Sequence, residues 1–213
     1  FQALMGARRF RTRFVSEFVR PSAGMNILDI GCGPADILAH LDGVDYWGFD
    51  ISRTYIARAQ ARFGDRGSFR CKVLALADLQ TLPAFDVVLA IGVLHHLEDE
   101  QALELLATAK HALKVGGRLL TVDPCFVAGQ NPVARFIIEH DRGQNVRGKA
   151  GYEALMGRVF ESARAEVRHQ AWVPYTHCYM EGARRAMKVS AEARSPTTSA
   201  AARLAQARSA SLH

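Results

Sequence analysis

The sequence predicts an α/β fold in which helices cover both faces of a mostly parallel β-sheet. Two observations support this fold class. Apolar runs of strand length recur along the chain, and patterns with helical spacing fill the intervals between them, an alternation typical of parallel sheets. With 213 residues, 49% of them hydrophobic, the chain is long enough to bury the core of one such domain.

The first elements can be placed in chain order. A helix comes first, because Phe10, Phe14 and Phe18 are spaced for one helical face. Ser52 is well placed as the N-cap of a later helix, and Gly116 and Gly117 are expected to end another. The strand-like runs in this part are 25–30, 44–50, 68–74, 85–91 and 117–123. The helical patterns between them are 35–41, 52–63 and 99–114.

The pattern changes after Asp123. A long connection follows, with a short helix at 132–139 and a longer one at 149–162. Two strand-like pieces, 163–171 and 175–181, then lie too close together for a helical crossover. We therefore expect these two strands to pair antiparallel at one edge of the sheet.

The net charge of +6 lies in the two ends of the chain. Residues 1–20 carry +4 and residues 181–213 carry +4, which leaves −2 for residues 21–180. A nucleic-acid groove would gather positive charge on one face, so we do not expect nucleic acid as the partner. We divide the chain into a basic N-terminal helix (1–24), a main domain (25–182) and an Ala/Ser/Arg-rich tail (183–213) that we expect to be flexible.

The cysteines and the hydropathy pattern bear on the compartment. No CxxC pair and no metal-type spacing is visible among the cysteines, so we expect no metal site and reduced thiols in a cytoplasmic protein. No apolar run approaches the roughly 18 residues that cross a bilayer. The chain begins at Phe1 rather than at Met, as a fragment of a longer protein would.

The turn after the first strand, DIGCGPA (29–35), is similar to a dinucleotide-binding turn that lacks its last glycine. Counted from Gly31, the pattern GxGxxG would place that glycine at Asp36. A carboxylate in the first helical turn would repel a phosphate docked there, and no Gly-Lys-Ser/Thr follows to make a P-loop. A phosphate-free ligand with cationic groups, such as S-adenosylmethionine, is therefore favoured.

From about Asn26 to Glu181 the chain resembles the class I S-adenosylmethionine-dependent methyltransferases, in particular bacterial small-molecule enzymes. The first strand of that family ends in D-x-G-x-G-x-G, and Ala35 stands here in place of the last glycine. The resemblance implies a Rossmann-like, doubly wound sheet of seven strands, mostly parallel with an antiparallel last strand. Four further stretches match in order: GFDIS (48–52), LALADL (74–79), FDVVLAIGVLHHL (85–97) and LKVGGRLLTVD (113–123).

The resemblance also implies S-adenosylmethionine as the cofactor and a set of residues that bind it. Asp29 would order the turn, Asp50 would accept both ribose hydroxyls, and Asp78 would lie near the adenine amino group. The main chain around Ile91 and Gly92 would close the methionine end. The complete set of expected cofactor-binding residues is Asp29, Gly31, Cys32, Gly33, Asp50, Ile51, Asp78, Leu79, Ile91 and Gly92.

Candidate residues for the acceptor lie at the fourth-strand exit and in the long connection. His95, with His96 beside it, is the candidate base, although histidines at a helix start also cap or pack. Arg142 and Arg147 would clamp an anionic group, or else belong to an exposed loop held by its own salt bridges. The expected acceptor-binding residues are Arg142, Arg147, Tyr175 and His177.

The prediction from the sequence is therefore methyl transfer from S-adenosylmethionine to a small-molecule acceptor. An RNA methyltransferase is an alternative, because the Arg-rich N-terminal helix would supply phosphate contacts. Against it, the Asn/Asp-Pro-Pro-Tyr/Phe/Trp stretch of nucleic-acid amino-group methyltransferases is replaced here by AIGV (90–93). A hydride-transferring dehydrogenase and a non-catalytic S-adenosylmethionine-binding protein are two further alternatives. The oligomeric state cannot be predicted.

Overall fold

The computed structural model describes residues 2–139, 145–170 and 175–186 of the protein. The strands over these residues are β1 (Asn26–Ile30), β2 (Asp45–Asp50), β3 (Gly67–Cys71), β4 (Phe85–Ile91), β5 (Leu113–Phe126), β6 (Arg147–Gly148), β7 (Ala163–Gln170) and β8 (Tyr175–Ala183). The α-helices are α1 (Gln2–Phe14), α2 (Arg53–Phe63), α3 (Asp99–Ala112), α4 (Pro132–Glu139) and α5 (Lys149–Val159). None of the described helices is long and apolar enough to cross a membrane.

The strands form one sheet in the order β3-β2-β1-β4-β5-β8-β7, and the short β6 pairs with the end of β5. Strands β1 to β5 run parallel to one another. β8 is antiparallel both to β5 and to β7, with Thr121 opposite Met180 and Met180 opposite Ala165. The structure thus confirms the mostly parallel, Rossmann-like sheet and the antiparallel pairing of the two C-terminal strands at one edge.

Alternating side chains of the central strands supply two cores, one on each face of the sheet. Leu28 and Val88 belong to the core that α3 and α5 cover, whereas their neighbours Ile27 and Val87 belong to the core that α1 and α2 cover. All four are almost completely buried. Continuous apolar strands of this kind are typical of a parallel sheet that is covered on both faces.

The helix α1 packs onto the sheet through a row of aromatic rings. Phe10, Phe14 and Phe18, the last in a π-helical turn (Val15–Val19) that continues α1, contact the ring of Tyr179 on β8, with centroid distances of 5.1 to 6.3 Å. This packing confirms the helical face read from the phenylalanine spacing.

The boundaries of the three predicted parts of the chain stay predictions, and residues 187–213 of the tail lie outside the described residues.

Two of the expected elements differ from the structure. The helix expected at 35–41 is a single 3-10 turn (Asp36–His40), because Gly43 turns the chain in the left-handed region (φ +67°) into β2 two residues later. Gly116 and Gly117 do not end α3, which stops at Ala112, but lie inside β5. The pairing of β4 and β5 shifts register there, and a Cβ on Gly117 would lie 2.9 Å from the carbonyl oxygen of Phe85. The glycines therefore permit the irregular pairing of β4 and β5 at this point.

The predicted N-cap of α2 is confirmed. Ser52 lies just before Arg53, the first residue of the helix, and its hydroxyl oxygen accepts the main-chain N–H of Tyr55 at 3.3 Å. The cap satisfies one of the main-chain donors at the start of the helix. It also fixes the start of α2 beside the end of β2, where the candidate site begins.

Candidate active site

The candidate site lies where β1, β2 and β4 end side by side. Because these strands are parallel neighbours, their carboxyl ends meet at one edge of the sheet, the usual place for a ligand in such folds. The residues that follow β1 and β4 include three glycines in the left-handed region: Gly31 (φ +74°), Gly33 (φ +54°) and Gly92 (φ +68°). The main chain at this edge therefore adopts conformations that favour glycine.

The turn after β1 is held by main-chain hydrogen bonds and packs closely against the exit of β4. The N–H groups of Gly31 and Cys32 donate to the carbonyl oxygen of Phe49 at 2.7 and 3.0 Å. A Cβ on Gly31 would lie 2.6 Å from Cγ2 of Val93, whereas a Cβ on Gly33 would have no atom within 4 Å. The turn thus presents bare main chain with open space at Gly33.

Asp50 joins the glycine turn to the start of α2. Its Oδ2 accepts the N–H of Gly33 at 2.9 Å, and its Oδ1 accepts the N–H of Ser52 at 2.7 Å. Each carboxylate oxygen keeps a second lone pair, so Asp50 can still accept hydroxyl groups of a ligand. Next to it, Ile51 has 75% of its surface exposed, which provides an apolar contact surface beside the carboxylate.

The charge of Asp36 is already compensated within the protein, in contrast to the sequence-based expectation of a free carboxylate. Its two carboxylate oxygens pair with Arg11 of α1 at 2.9 Å and with Arg62 of α2 at 2.7 Å. The residue before it, Ala35, is buried and left-handed (φ 54°), which redirects the chain at this point. Asp36 therefore docks two helices, and its charge gives no reason to exclude a phosphate.

Asp78 and Leu79 follow β3, as the sequence indicates. Asp78 pairs with Lys72 at 2.7 Å and accepts the N–H of Ala75 at 2.9 Å, which caps a 3-10 turn (Leu76–Thr81). The hydrogen bond from the Lys72 ammonium lowers the pKa of the Asp78 carboxyl. Leu79 packs against the core. Asp78 is thus already bonded within the protein, and its contact with an adenine amino group stays a prediction.

Asp29 and Cys32 are both buried beneath the turn. Asp29 accepts the hydroxyl of Tyr46 on β2 at 2.6 Å, while the turn N–H groups donate to Phe49 and Asp50. Asp29 therefore ties the end of β1 to β2 just before the turn, and its role in ordering the turn stays a prediction. Burial raises the pKa of the Cys32 thiol, so this cysteine stays protonated and unreactive.

The buried carboxyl of Asp29 should make stability depend on pH. Burial raises its pKa from 3.8 to about 7. Below about pH 4 the protonated Asp29 makes its full contribution to the free energy of unfolding. This contribution is lost as the pH rises through 7, a total change of about 4 kcal/mol. We therefore expect the free energy of unfolding, measured with urea between pH 4 and 8, to fall more steeply in wild type than in Asp29→Asn. Asp45→Asn, an exposed site on β2, is the control, and parallel curves for Asp29→Asn and wild type would contradict the expectation.

His95 lies in a 3-10 turn (Leu94–His96) just after β4 and bonds to Asp123 of β5. Its Nδ1 is 2.9 Å from Asp123 Oδ1, and its main-chain N–H donates to the same oxygen at 3.1 Å. Both residues are buried. The carboxylate favours the tautomer with the proton on Nδ1, which leaves Nε2 as the nitrogen that can accept a proton.

The ring of His95 lies beside Gly92, where the methionine end of the cofactor is expected. A Cβ on Gly92 would lie 3.7 Å from its Cε1, and the His96 ring is 3.9 Å away between centroids. Sequence analysis missed Asp123 as a site residue. The available signal was its position, because an acid at the end of the predicted strand 117–123 is expected at the same edge as a residue that follows β4.

Arg147 does not form the expected clamp for an anionic acceptor. Its guanidinium donates to the main-chain oxygens of Leu94, Leu97 and Asn145 and pairs with Asp99 at 2.7 Å. The ion pair agrees in part with the alternative, an exposed loop held by its own salt bridges, but the Arg147 side chain is only 12% exposed and its other bonds go to main-chain carbonyl groups. Arg147 therefore supports the His95 turn, and an acceptor could use its guanidinium only by displacing these partners.

The other acceptor candidates are placed only in part. Arg142 and the side chain of Tyr175 lie outside the described residues. His177 is opposite Pro124 of β5, and its ring is 5.9 Å from the ring of Phe10. It therefore lies on the α1 side of the sheet. Its contact with an acceptor stays a prediction.

Comparison with known proteins agrees with the geometry. A family described as a methyltransferase domain matches residues 28–119, which include the glycine turn, Asp50 and the His95 turn. Over these residues the chain is similar to a methyltransferase domain, in agreement with the resemblance drawn from the sequence.

Individual proteins support this assignment. The O-methyltransferase resE of Aspergillus sclerotiorum is 35% identical over 136 residues, which cover 59% of this chain and 50% of that protein. A tRNA U34 carboxymethyltransferase of Pseudoalteromonas translucida is 29% identical over 134 residues, 61% of this chain and 40% of that protein. The methyltransferase SibL has the same fold, with a TM-score of 0.65, 18% identity, and 86% and 57% of the two chains covered. The chain spans about half the length of the curated relatives it matches.

The described residues fit the cofactor of this family, S-adenosylmethionine. The bare main chain at Gly31 and Gly33 suits a ligand that approaches closely, Asp50 has lone pairs for ribose hydroxyls, and Ile51 offers an exposed apolar side chain for adenine. Within the described ranges, no group of three or more His, Cys, Asp or Glu side chains is placed to hold a metal ion.

Proposed function

We propose that the protein transfers a methyl group from S-adenosylmethionine to a hydroxyl oxygen of a small molecule, with His95 as the general base. One observation supports oxygen as the atom that accepts the methyl group. The buried Asp123 carboxylate holds Nδ1 of His95 at 2.9 Å beside Gly92, at the edge where the cofactor turn lies. The name of the relative resE, an O-methyltransferase, supports the same choice.

Methyl transfer to a hydroxyl group is aided by a general base such as this histidine. S-adenosylmethionine supplies an electrophilic methyl group on a good leaving group. A neutral hydroxyl loses its proton during the attack, and a positioned base typically contributes about 10²–10⁴ in rate. His95 would take that proton on Nε2, and the Asp123 carboxylate would stabilise the imidazolium that forms.

The remaining residues would orient the cofactor. Asp50 would accept the ribose hydroxyls, Ile51 would pack against adenine, and Ile91 and Gly92 would close the methionine end. Alignment of donor and acceptor is the largest contribution available to such a site, up to about 7–11 kcal/mol in favourable cases. The free thiols of the four cysteines fit a reducing cytoplasm, where we place the protein.

The main alternative acceptor is RNA. The tRNA-modifying relative favours it, but its identity is lower than that of resE. Arg11 and Arg13 of α1 are also already paired, with Asp36 and Glu17 respectively. These ion pairs reduce the positive charge that α1 offers to a phosphate backbone.

The proposal is tested with S-adenosylmethionine that carries a labelled methyl group. The protein is incubated with a panel of phenols and alcohols, each paired with its O-methylated form, and with amines and a tRNA pool. We expect label on one or more free hydroxyl compounds and on none of the O-methylated controls. Label confined to amines or to tRNA would contradict the proposal. Binding of the methyl donor without any transfer would favour the non-catalytic alternative.

A further inference from the structure

The turn that presents His95 is held at both ends by one side chain. Arg147 donates from Nη1 to the carbonyl oxygen of Leu94 at 2.9 Å and from Nη2 to that of Leu97 at 2.8 Å. Leu94 begins the 3-10 turn and Leu97 follows its last residue. The guanidinium therefore bridges the turn, with His95 between the two carbonyl groups.

The same guanidinium joins the turn to two other elements. Its Nη1 donates to the carbonyl oxygen of Asn145 at 3.0 Å, and its Nε and Nη2 donate to Asp99 at the start of α3 at 3.0 and 2.7 Å. Asn145 in turn donates its N–H to the carbonyl oxygen of His95 at 2.9 Å. The main chain of His95 is thus bonded to the segment that Arg147 anchors.

The chemistry of these contacts requires arginine. A planar guanidinium can donate to several acceptors at fixed angles, whereas a lysine ammonium acts as a compact point charge. The side chain of Arg147 is only 12% exposed, so water competes little for its donors. Its guanidinium also lies 5.9 Å from the ring of Tyr152, whose hydroxyl donates to Pro124 beside Asp123. Arg147 therefore packs between the His95 turn and the end of β5.

We infer that Arg147 is a positioning residue: it fixes the turn so that the His95 ring meets Asp123 in the tautomer with the proton on Nδ1. The inference rests on the proposed function, in which His95 is the base. It also links the base to the connection after β5, because Asn145 and Arg147 end that connection. A side chain that merely stabilises the fold would leave the tautomer of His95 unchanged.

The test is the ¹⁵N NMR spectrum of the histidine rings in the whole protein, with the His95 signals assigned from a His95→Ala spectrum. In wild type we expect the proton on Nδ1. In Arg147→Gln we expect this preference to be lost, so that both tautomers are populated, and in Arg147→Lys to be weakened. Arg158→Gln, at an exposed arginine of α5, is the matched control and should give the wild-type spectrum. Asp99→Asn keeps the three carbonyl bonds and should also resemble wild type.

Each outcome decides a different point. A wild-type tautomer in folded Arg147→Gln, even with lowered stability, would overturn the inference and leave the proposed function intact. A proton on Nε2 in wild type would instead count against the His95–Asp123 base itself. If Arg147→Gln does not fold, the inference is tested with Arg147→Lys, because one ammonium group cannot replace the several donors of the guanidinium. An unchanged His95 tautomer in Arg147→Lys would overturn the inference. Failure of both variants to fold would assign Arg147 to the fold alone and would overturn it as well.

Discussion

Gly31→Ala should strongly weaken the binding of S-adenosylmethionine. Gly31 has a φ of +74°, a conformation that costs an alanine about 1–2 kcal/mol. The added Cβ would also lie 2.6 Å from Cγ2 of Val93, so the turn or the β4 exit must move. Both line the expected cofactor site. We expect the affinity to fall by roughly 10- to 100-fold or more, because each 1.4 kcal/mol is about tenfold.

Calorimetric titration with S-adenosylhomocysteine measures this effect without a methyl acceptor. The matched control is Gly24→Ala, because Gly24 has a similar φ of +78° but no atom within 4 Å of the added Cβ. Gly24 precedes β1, at the opposite edge of the sheet. The control should lose a comparable amount of stability and keep its affinity. Equal affinities in the two variants would contradict a cofactor site at Gly31.

His95→Ala should lower turnover strongly and leave the affinity for S-adenosylhomocysteine almost unchanged. The ring bonds to Asp123 at 2.9 Å, whereas Gly31, Gly33 and Asp50 would hold the cofactor. Loss of a general base typically costs about 10²–10⁴ in rate. Asp123→Asn should lower turnover as well, because an amide no longer favours the proton on Nδ1.

The measurement is single-turnover methyl transfer to the hydroxyl compound that the labelled-methyl panel identifies. The matched control is His111→Gln, since His111 is exposed and bonds to Ala107 in its own helix. This control should retain full turnover. Unchanged turnover in His95→Ala would remove His95 from the mechanism, even if the protein is a methyltransferase.

Much of the fold and the cofactor edge could be predicted because their signals are local in sequence. Alternating apolar runs give the parallel strands, and the end of each strand gives the edge at which Gly31, Asp50 and Gly92 meet. Gly116 and Gly117 show the limit of local signals. Glycine permits several backbone conformations, so the same pair suits a helix end and the irregular start of β5 that the structure shows.

The partners of the polar side chains could not be predicted, because they are distant in sequence. Asp36 meets Arg11 and Arg62, each about 25 residues away, and His95 meets Asp123 across 28 residues. Arg147 offered a plausible clamp by residue type alone. Its main-chain partners depend on how the connection folds back onto the His95 turn, which no sequence pattern reports.

The central claim is that an adenosyl cofactor lies on the main chain of the glycine turn with its ribose at Asp50. A crystal structure of the protein with S-adenosylhomocysteine tests it most directly. The account predicts both ribose hydroxyls within hydrogen-bond distance of the Asp50 carboxylate and the sulfur near Gly92, on the side of His95. A cofactor bound elsewhere, or an Asp50 carboxylate that points away from the ribose, would contradict the account.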